Sequence, residues 1–99
     1  MRLEILVATL KSGYRDEDLS AVMAWNTKYH ADRGVGGIHY YVSEDRSTWV
    51  MTVPHDEAVG DKIAKEWKDS GAEQQPWFRE MMGMVFAGAM SRMYHEVHP

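Results

Sequence analysis

Ninety-nine residues and 11.4 kDa set the scale of one domain, expected to span residues 1–99. The chain has no Cys, so neither disulfides nor thiolate-bound zinc hold it together. Eleven Lys and Arg against fifteen Asp and Glu leave a net charge of −4 and a pI of about 5.7, which argues against the basic face that nucleic-acid binding needs. No apolar run approaches the roughly 20 residues of a membrane span. The start, MRLEILVATL, lacks the layout of a secretory signal, so the expected compartment is the cytoplasm.

Leu3 to Leu10 is a nearly continuous apolar run with the length of a buried strand. Arg15-Asp16-Glu17-Asp18 then places acids where a helix N-terminus favours them, with Asp16 as the expected N-cap. That helix should reach about Asp32, where Gly34, Gly36 and Gly37 end it. Ile38 to Ser43 reads as a strand by its aromatic and β-branched content. A short polar loop at Glu44-Asp45-Arg46 returns the chain through Ser47 to Val53 as an antiparallel strand, closed by Pro54. A second helix is predicted from about His55 to Asp69, with Val59, Ile63 and Trp67 as its inner stripe. Ser70-x-x-Glu73 has capping-box spacing, and Pro76 suits the first turn of a short third helix. Ala87-Gly88 should break that helix, leaving Ala89 to Val97 as the last strand.

The order β-α-β-β-α-(α)-β is the split βαβ, or ferredoxin-like, arrangement. It implies an α+β fold with a four-stranded antiparallel sheet and helices on one face, an order that other four-stranded α+β arrangements also fit. A solvated second face should alternate with polar residues. Leu3, Ile5 and Val7 point one way and Leu6, Ala8 and Leu10 the other, so neither face is clearly wet. One layer of helices covers only one face, and a second copy of the sheet is the economical cover for the other. A face-to-face homodimer is therefore expected, with Trp49 at its interface.

The first helix carries the candidate site. Leu19, Val22, Met23, Asn26, Tyr29, His30 and Arg33 share one face, which starts apolar and turns polar halfway. A buried amide or imidazole costs a few kcal/mol unless it is hydrogen-bonded. Asn26 and His30 therefore either satisfy each other and the backbone or face a cavity that holds polar atoms of a ligand. His39 and Tyr41 share one face of the second strand, and His39 would converge with His30 if that face looks toward the helix. Histidine is the natural acid or base near neutral pH. Trp25 and Tyr29 are candidates for a pocket rim, Trp77 for a lid, and Arg92 for a partner to an acidic ligand or enolate. Each also has a plain structural role available: core, helix surface, or interface ion pair. His95-Glu96-Val97-His98 is one residue short of the H-E-x-x-H metal motif, and in a strand its histidines point to opposite faces, so no metal site is expected there.

LEILVATLKSGY, the Gly-rich GVGGIHYYVS and PWFREMMGMVFAGAMSRMYHEV resemble the dimeric α/β-barrel superfamily, including antibiotic-biosynthesis monooxygenase-like proteins and the ethyl tert-butyl ether degradation family. The last segment also resembles small accessory proteins of prodigiosin-type pigment pathways, which act around bipyrrole formation. The resemblance implies dimerisation through the sheets and a ligand between sheet and helices. Superfamily members range from oxygenases without metal or flavin to haem enzymes, isomerases, cyclases and plain binders, so the fold does not assign the chemistry. Two readings stand. One is an enzyme with no bound cofactor, acting on a flat aromatic or (bi)pyrrole-like intermediate of secondary metabolism, with His30 or His39 moving a proton and Asn26 orienting the substrate. The other is a non-catalytic protein that holds such an intermediate for a pathway enzyme. A haem-linked barrel, bound through His, is a third.

Overall fold

A computed structural model describes residues 1–70 and 76–99, the side chains of residues 70 and 76–78 excepted. The elements run β1 (Arg2–Leu10), α1 (Asp16–Ala31), β2 (His39–Val42), β3 (Thr48–His55), α2 (Glu57–Ser70), α3 (Pro76–Val85) and β4 (Phe86–His95). The four strands form one antiparallel sheet in the order β2-β3-β1-β4, the ferredoxin-like arrangement expected.

Strand register decides what each face carries. Trp49, Met51, Val53 and His55 of β3 are buried in strict alternation and face the helices. Their partners on β1 are Ala8, Leu6, Glu4 and Arg2, and these in turn pair with Ala89, Ser91, Met93 and His95 of β4. Trp49 is fully enclosed, 5.7 Å from the Tyr40 ring and 5.0 Å from Phe86. It belongs to the core under the helices, and the expectation that it serves a sheet-to-sheet interface is corrected. Leu19 and Val22 of α1, Ile63 of α2 and Val85 complete the apolar core.

The opposite face carries Leu3, Ile5, Val7, Val50, Tyr41 and Met90, with Tyr94 and Arg92 along β4. Val7 is 42% exposed, Tyr41 55%, Met90 59% and Tyr94 47%, a concentration of apolar area that none of the described helical residues covers.

Several boundaries differ from the sequence reading, each for a local reason. Arg15, in extended conformation, is the N-cap of α1 and makes no side-chain capping bond; Asp16, Glu17 and Asp18 occupy the first turn, where their charge suits the helix dipole. Pro54 continues β3 and pairs with Leu3, because β2 ends opposite Thr52 and leaves that flank of β3 without a hydrogen-bonding neighbour. His55 is therefore the last strand residue and not the first helical one. Ala87 and Gly88 lie inside β4, which follows α3 directly; the ladder shifts register between Thr9 and Leu10. The capping box at Ser70-x-x-Glu73 falls outside the described residues.

Candidate functional site

A cavity of about 330 Å³ lies between the inner face of the sheet and the helices. That volume is in the range of small-molecule sites. Its walls are largely apolar: Leu6 and Met51 from the sheet, Ile63 and Trp67 from α2, Met82 from α3 and Met93 from β4. Five polar side chains also line it: Asn26, His30, Glu4, His55 and Ser91.

Asn26 and His30 enter from α1, one turn apart, because the stripe that carries Leu19 and Val22 continues through them. Both are buried. Asn26 Nδ2 donates to the Val22 carbonyl at 2.9 Å, which fixes its amide and leaves Oδ1 free to accept. His30 Nδ1 stands 2.8 Å from the Asn26 carbonyl. A carbonyl only accepts, so Nδ1 carries the hydrogen, and the neutral ring presents the Nε2 lone pair. Nε2 has no hydrogen-bond partner among the described residues, and it belongs to a ring that lines the cavity. The geometry is that of a base held in one tautomer by its own helix.

Trp67 forms an aromatic wall, with Trp49 lining the cavity from the sheet. Tyr29 packs 5.5 Å from Trp67, and Trp25 stacks on Tyr29 at 5.1 Å and lies 5.8 Å from Trp67. The Arg33 guanidinium sits 3.6 Å above the Tyr29 ring, donates to the Tyr29 carbonyl at 2.8 Å, and forms a two-pronged ion pair with Glu66 of α2. This brace ties α1 to α2 beside the cavity. Burial, ahead of the neighbouring charges, raises the Tyr29 hydroxyl above its ordinary pKa, whereas hydrogen bonding from Arg33 lowers Glu66 below the usual carboxylate value.

At another part of the wall, Gly60 of α2 rests directly on His55 and Arg2. Arg2 Nη2 donates to the Glu57 carbonyl at 3.0 Å and to Asp61 at 2.9 Å. His55 Nδ1 lies 3.2 Å from the Asp56 carbonyl, so its other nitrogen is also left as an acceptor.

The expected site residues separate into groups. Asn26 and His30 line the cavity, while Trp25 and Tyr29 stand behind Trp67 as support. His39, Tyr41 and Arg92 belong to the opposite sheet face. Tyr40, whose hydroxyl donates to the Met23 carbonyl at 3.0 Å and lies 2.8 Å from Thr27 Oγ1, holds the helix-facing position of β2, so its neighbour His39 turns away and does not converge with His30. The side chain of Trp77 lies outside the described residues. Glu4, His55 and Ser91 were not foreseen. The signal was present for two of them: Glu4 shares strand parity with Leu6 and Ala8, and His55 with Trp49, Met51 and Val53. Among the described residues, no three His, Asp or Glu side chains cluster so as to hold a metal ion, and no helix is long and apolar enough to cross a membrane.

No protein-family model matches the chain, and no curated protein matches its sequence. Solved structures do match over nearly the whole length. A Bordetella bronchiseptica protein provisionally named an antibiotic biosynthesis monooxygenase is 18% identical, with TM-score 0.61, over 98% of this chain and 97% of its own. A dimeric ferredoxin-like protein from an uncultured marine organism is 12% identical, with TM-score 0.64, over 100% and 97%. A DABB-family protein with a ferredoxin-like fold from Mesorhizobium loti is 13% identical, with TM-score 0.60, over 98% of each chain. The chain has the ferredoxin-like fold of these proteins. At such identities the likeness carries the fold and not the chemistry.

Proposed function

We propose that the cavity binds a flat, electron-rich aromatic or (bi)pyrrole-like intermediate of secondary metabolism. The chain then acts on it as an oxygenase-, cyclase- or isomerase-type enzyme through proton transfer, with dissolved dioxygen as both oxidant and oxygen source in the oxygenase case. The observation that carries this reading is His30: its Nδ1–H is fixed on the Asn26 carbonyl, and its free Nε2 belongs to a ring of the cavity wall. Nε2 takes a proton from a hydroxyl or ring N–H of the substrate, and Asn26 Oδ1 orients a second donor. Trp67 and Leu6 hold the flat ring in place, so orientation supplies part of the gain. Positioned acid–base catalysis contributes about 100- to 10,000-fold, and His30→Ala should lower turnover by that order. The test is incubation of the purified protein with bipyrroles and polyketide-like phenols, followed by mass spectrometry. Conversion that His30→Ala abolishes supports the reading; conversion that His30→Ala leaves unchanged refutes His30 as the base.

A second reading, a non-catalytic carrier that holds the intermediate for a pathway enzyme, is favoured by one feature. The partner of His30 Nδ1 is a neutral carbonyl, which supports a charged imidazolium less than a carboxylate would. Tight binding without conversion by the lone protein would select it. In either case we infer that two copies meet through the exposed apolar sheet face of Ile5, Val7, Tyr41 and Met90. The fold-mate from the marine organism is dimeric, which supports this assembly.

A further inference from the structure

The cavity's hydrogen-bonding polarity is one-sided. Ser91 Oγ donates its hydrogen to Glu4 Oε2 at 3.0 Å. Asn26 Nδ2, His30 Nδ1 and His55 Nδ1 all face backbone carbonyls. These side-chain donors go to the protein's own oxygens, and lone pairs are left for a guest: Asn26 Oδ1, the Nε2 atoms of the two histidines and the second oxygen of Glu4. Trp49, which also lines the cavity, is the exception, its buried indole N–H having no partner among the described residues.

Glu4 is the sharpest of these. It sits on the helix-facing side of a central strand, between the buried Val53 and the partly exposed Met93. A half-buried carboxylate in such a place ordinarily has a cation beside it. Among the described residues Glu4 forms no ion pair and no Lys or Arg lines the cavity. Arg2, two residues away on the same face, gives Nη2 to the Glu57 carbonyl and to Asp61, its buried Nε has no partner among the described residues, and it makes no ion pair with Glu4. The Ser91 hydroxyl stabilises the carboxylate without neutralising it.

Resting on the cavity reading above, we propose that Glu4 is a specificity-determining residue: it selects guests that present a cationic amine or ring N–H and rejects carboxylates and phosphates. A guest nitrogen supplies the charge-assisted hydrogen bond that the protein withholds. An anionic guest would meet a ring of lone pairs and a like charge.

The experiment uses three probes of one shape and different charge: phenethylamine, 2-phenylethanol and phenylacetate. Binding is measured by calorimetry, with the Trp67 indole N–H resonance reporting occupancy of the cavity. Phenethylamine should bind at least about tenfold tighter than phenylacetate, and Glu4→Gln should bring the two within about threefold. Affinity for 2-phenylethanol should not change in Glu4→Gln, which also shows that the variant is folded. Ser91→Ala keeps the carboxylate and should keep the preference for the amine. Equal or tighter binding of phenylacetate to the wild type, or survival of the preference in Glu4→Gln, would overturn the charge selectivity and leave the cavity reading standing. If none of the probes moves the Trp67 resonance, the cavity reading itself fails, and the selectivity with it.

Discussion

Gly60 offers a quantitative check on how α2 is seated over the site. A Cβ added there would fall inside contact distance of His55 Cε1, His55 Nδ1 and Arg2 Nη2. The Arg2 head can swing, but doing so breaks its bonds to the Glu57 carbonyl and Asp61; the His55 ring is buried and has little room. Overpacking of this kind costs about 1–3 kcal/mol, and loss of the charge-assisted bond to a carbonyl adds to it. Against this, replacing a helical Gly by Ala gains up to about 1 kcal/mol of propensity. The net loss for Gly60→Ala is about 1–3 kcal/mol, or a fall in Tm of about 5–15 °C for a domain of this size. Gly83, in α3, is the internal control. A Cβ there meets nothing within 4 Å, so Gly83→Ala should gain stability from propensity alone. Scanning calorimetry at one fixed protein concentration measures both. A Gly60→Ala variant as stable as the wild type, or more stable than Gly83→Ala, would show that α2 does not rest on His55 and Arg2 as described.

Other outcomes follow from separate parts of the molecule. Val7→Glu places a charge in the middle of the uncovered sheet face and should turn a dimer into a monomer in sedimentation velocity without loss of fold; a wild-type monomer at micromolar concentration would contradict the assembly. Asp45 accepts from Ser43 Oγ and Ser47 Oγ, both at 2.7 Å, and from the Ser47 amide; these bonds, the Ser43 hydroxyl first, lower its pKa from 3.8 to about 2. A depressed carboxylate pKa stabilises the fold in full above the ordinary value and ceases to do so as pH falls through the folded one. The Tm difference between wild type and Asp45→Asn should therefore be constant above about pH 4 and shrink toward pH 2. Glu66→Gln removes the brace to Arg33 and should lower Tm at pH 7, with the difference narrowing in acid because Arg33 holds the Glu66 pKa down.

The element order was legible because each element carries its own periodicity or punctuation: the apolar run of β1, the acids ahead of α1, Gly34 after it with φ of 78°, and the two Trp-bearing helix and strand stripes. Asn26 and His30 were legible for the same reason, since a 3.6-residue repeat that begins with Leu19 and Val22 leads to them. Strand parity was not. In β2 both neighbours of His39 are aromatic or aliphatic, so no polar alternation marks the outer side; the decision lies in the Tyr40 bonds to Met23 and Thr27 on another element. Glu4 was hidden by the apolar run around it, and its hydrogen-bond donor, Ser91, lies 87 residues away. His55 was hidden by Pro54, which ends strands only where its nitrogen would face a partner. Trp49 looked fit for either face until the register placed Ala8 beside it, the small residue that makes room for the indole.

The most direct measurement is a crystal structure of the chain with a bound bipyrrole. Ring density is expected between the sheet and α1–α2, against Trp67, with a guest N–H within hydrogen-bonding distance of His30 Nε2. Density confined to the outer sheet face, or a guest whose polar atoms avoid both His30 and Asn26, would contradict it.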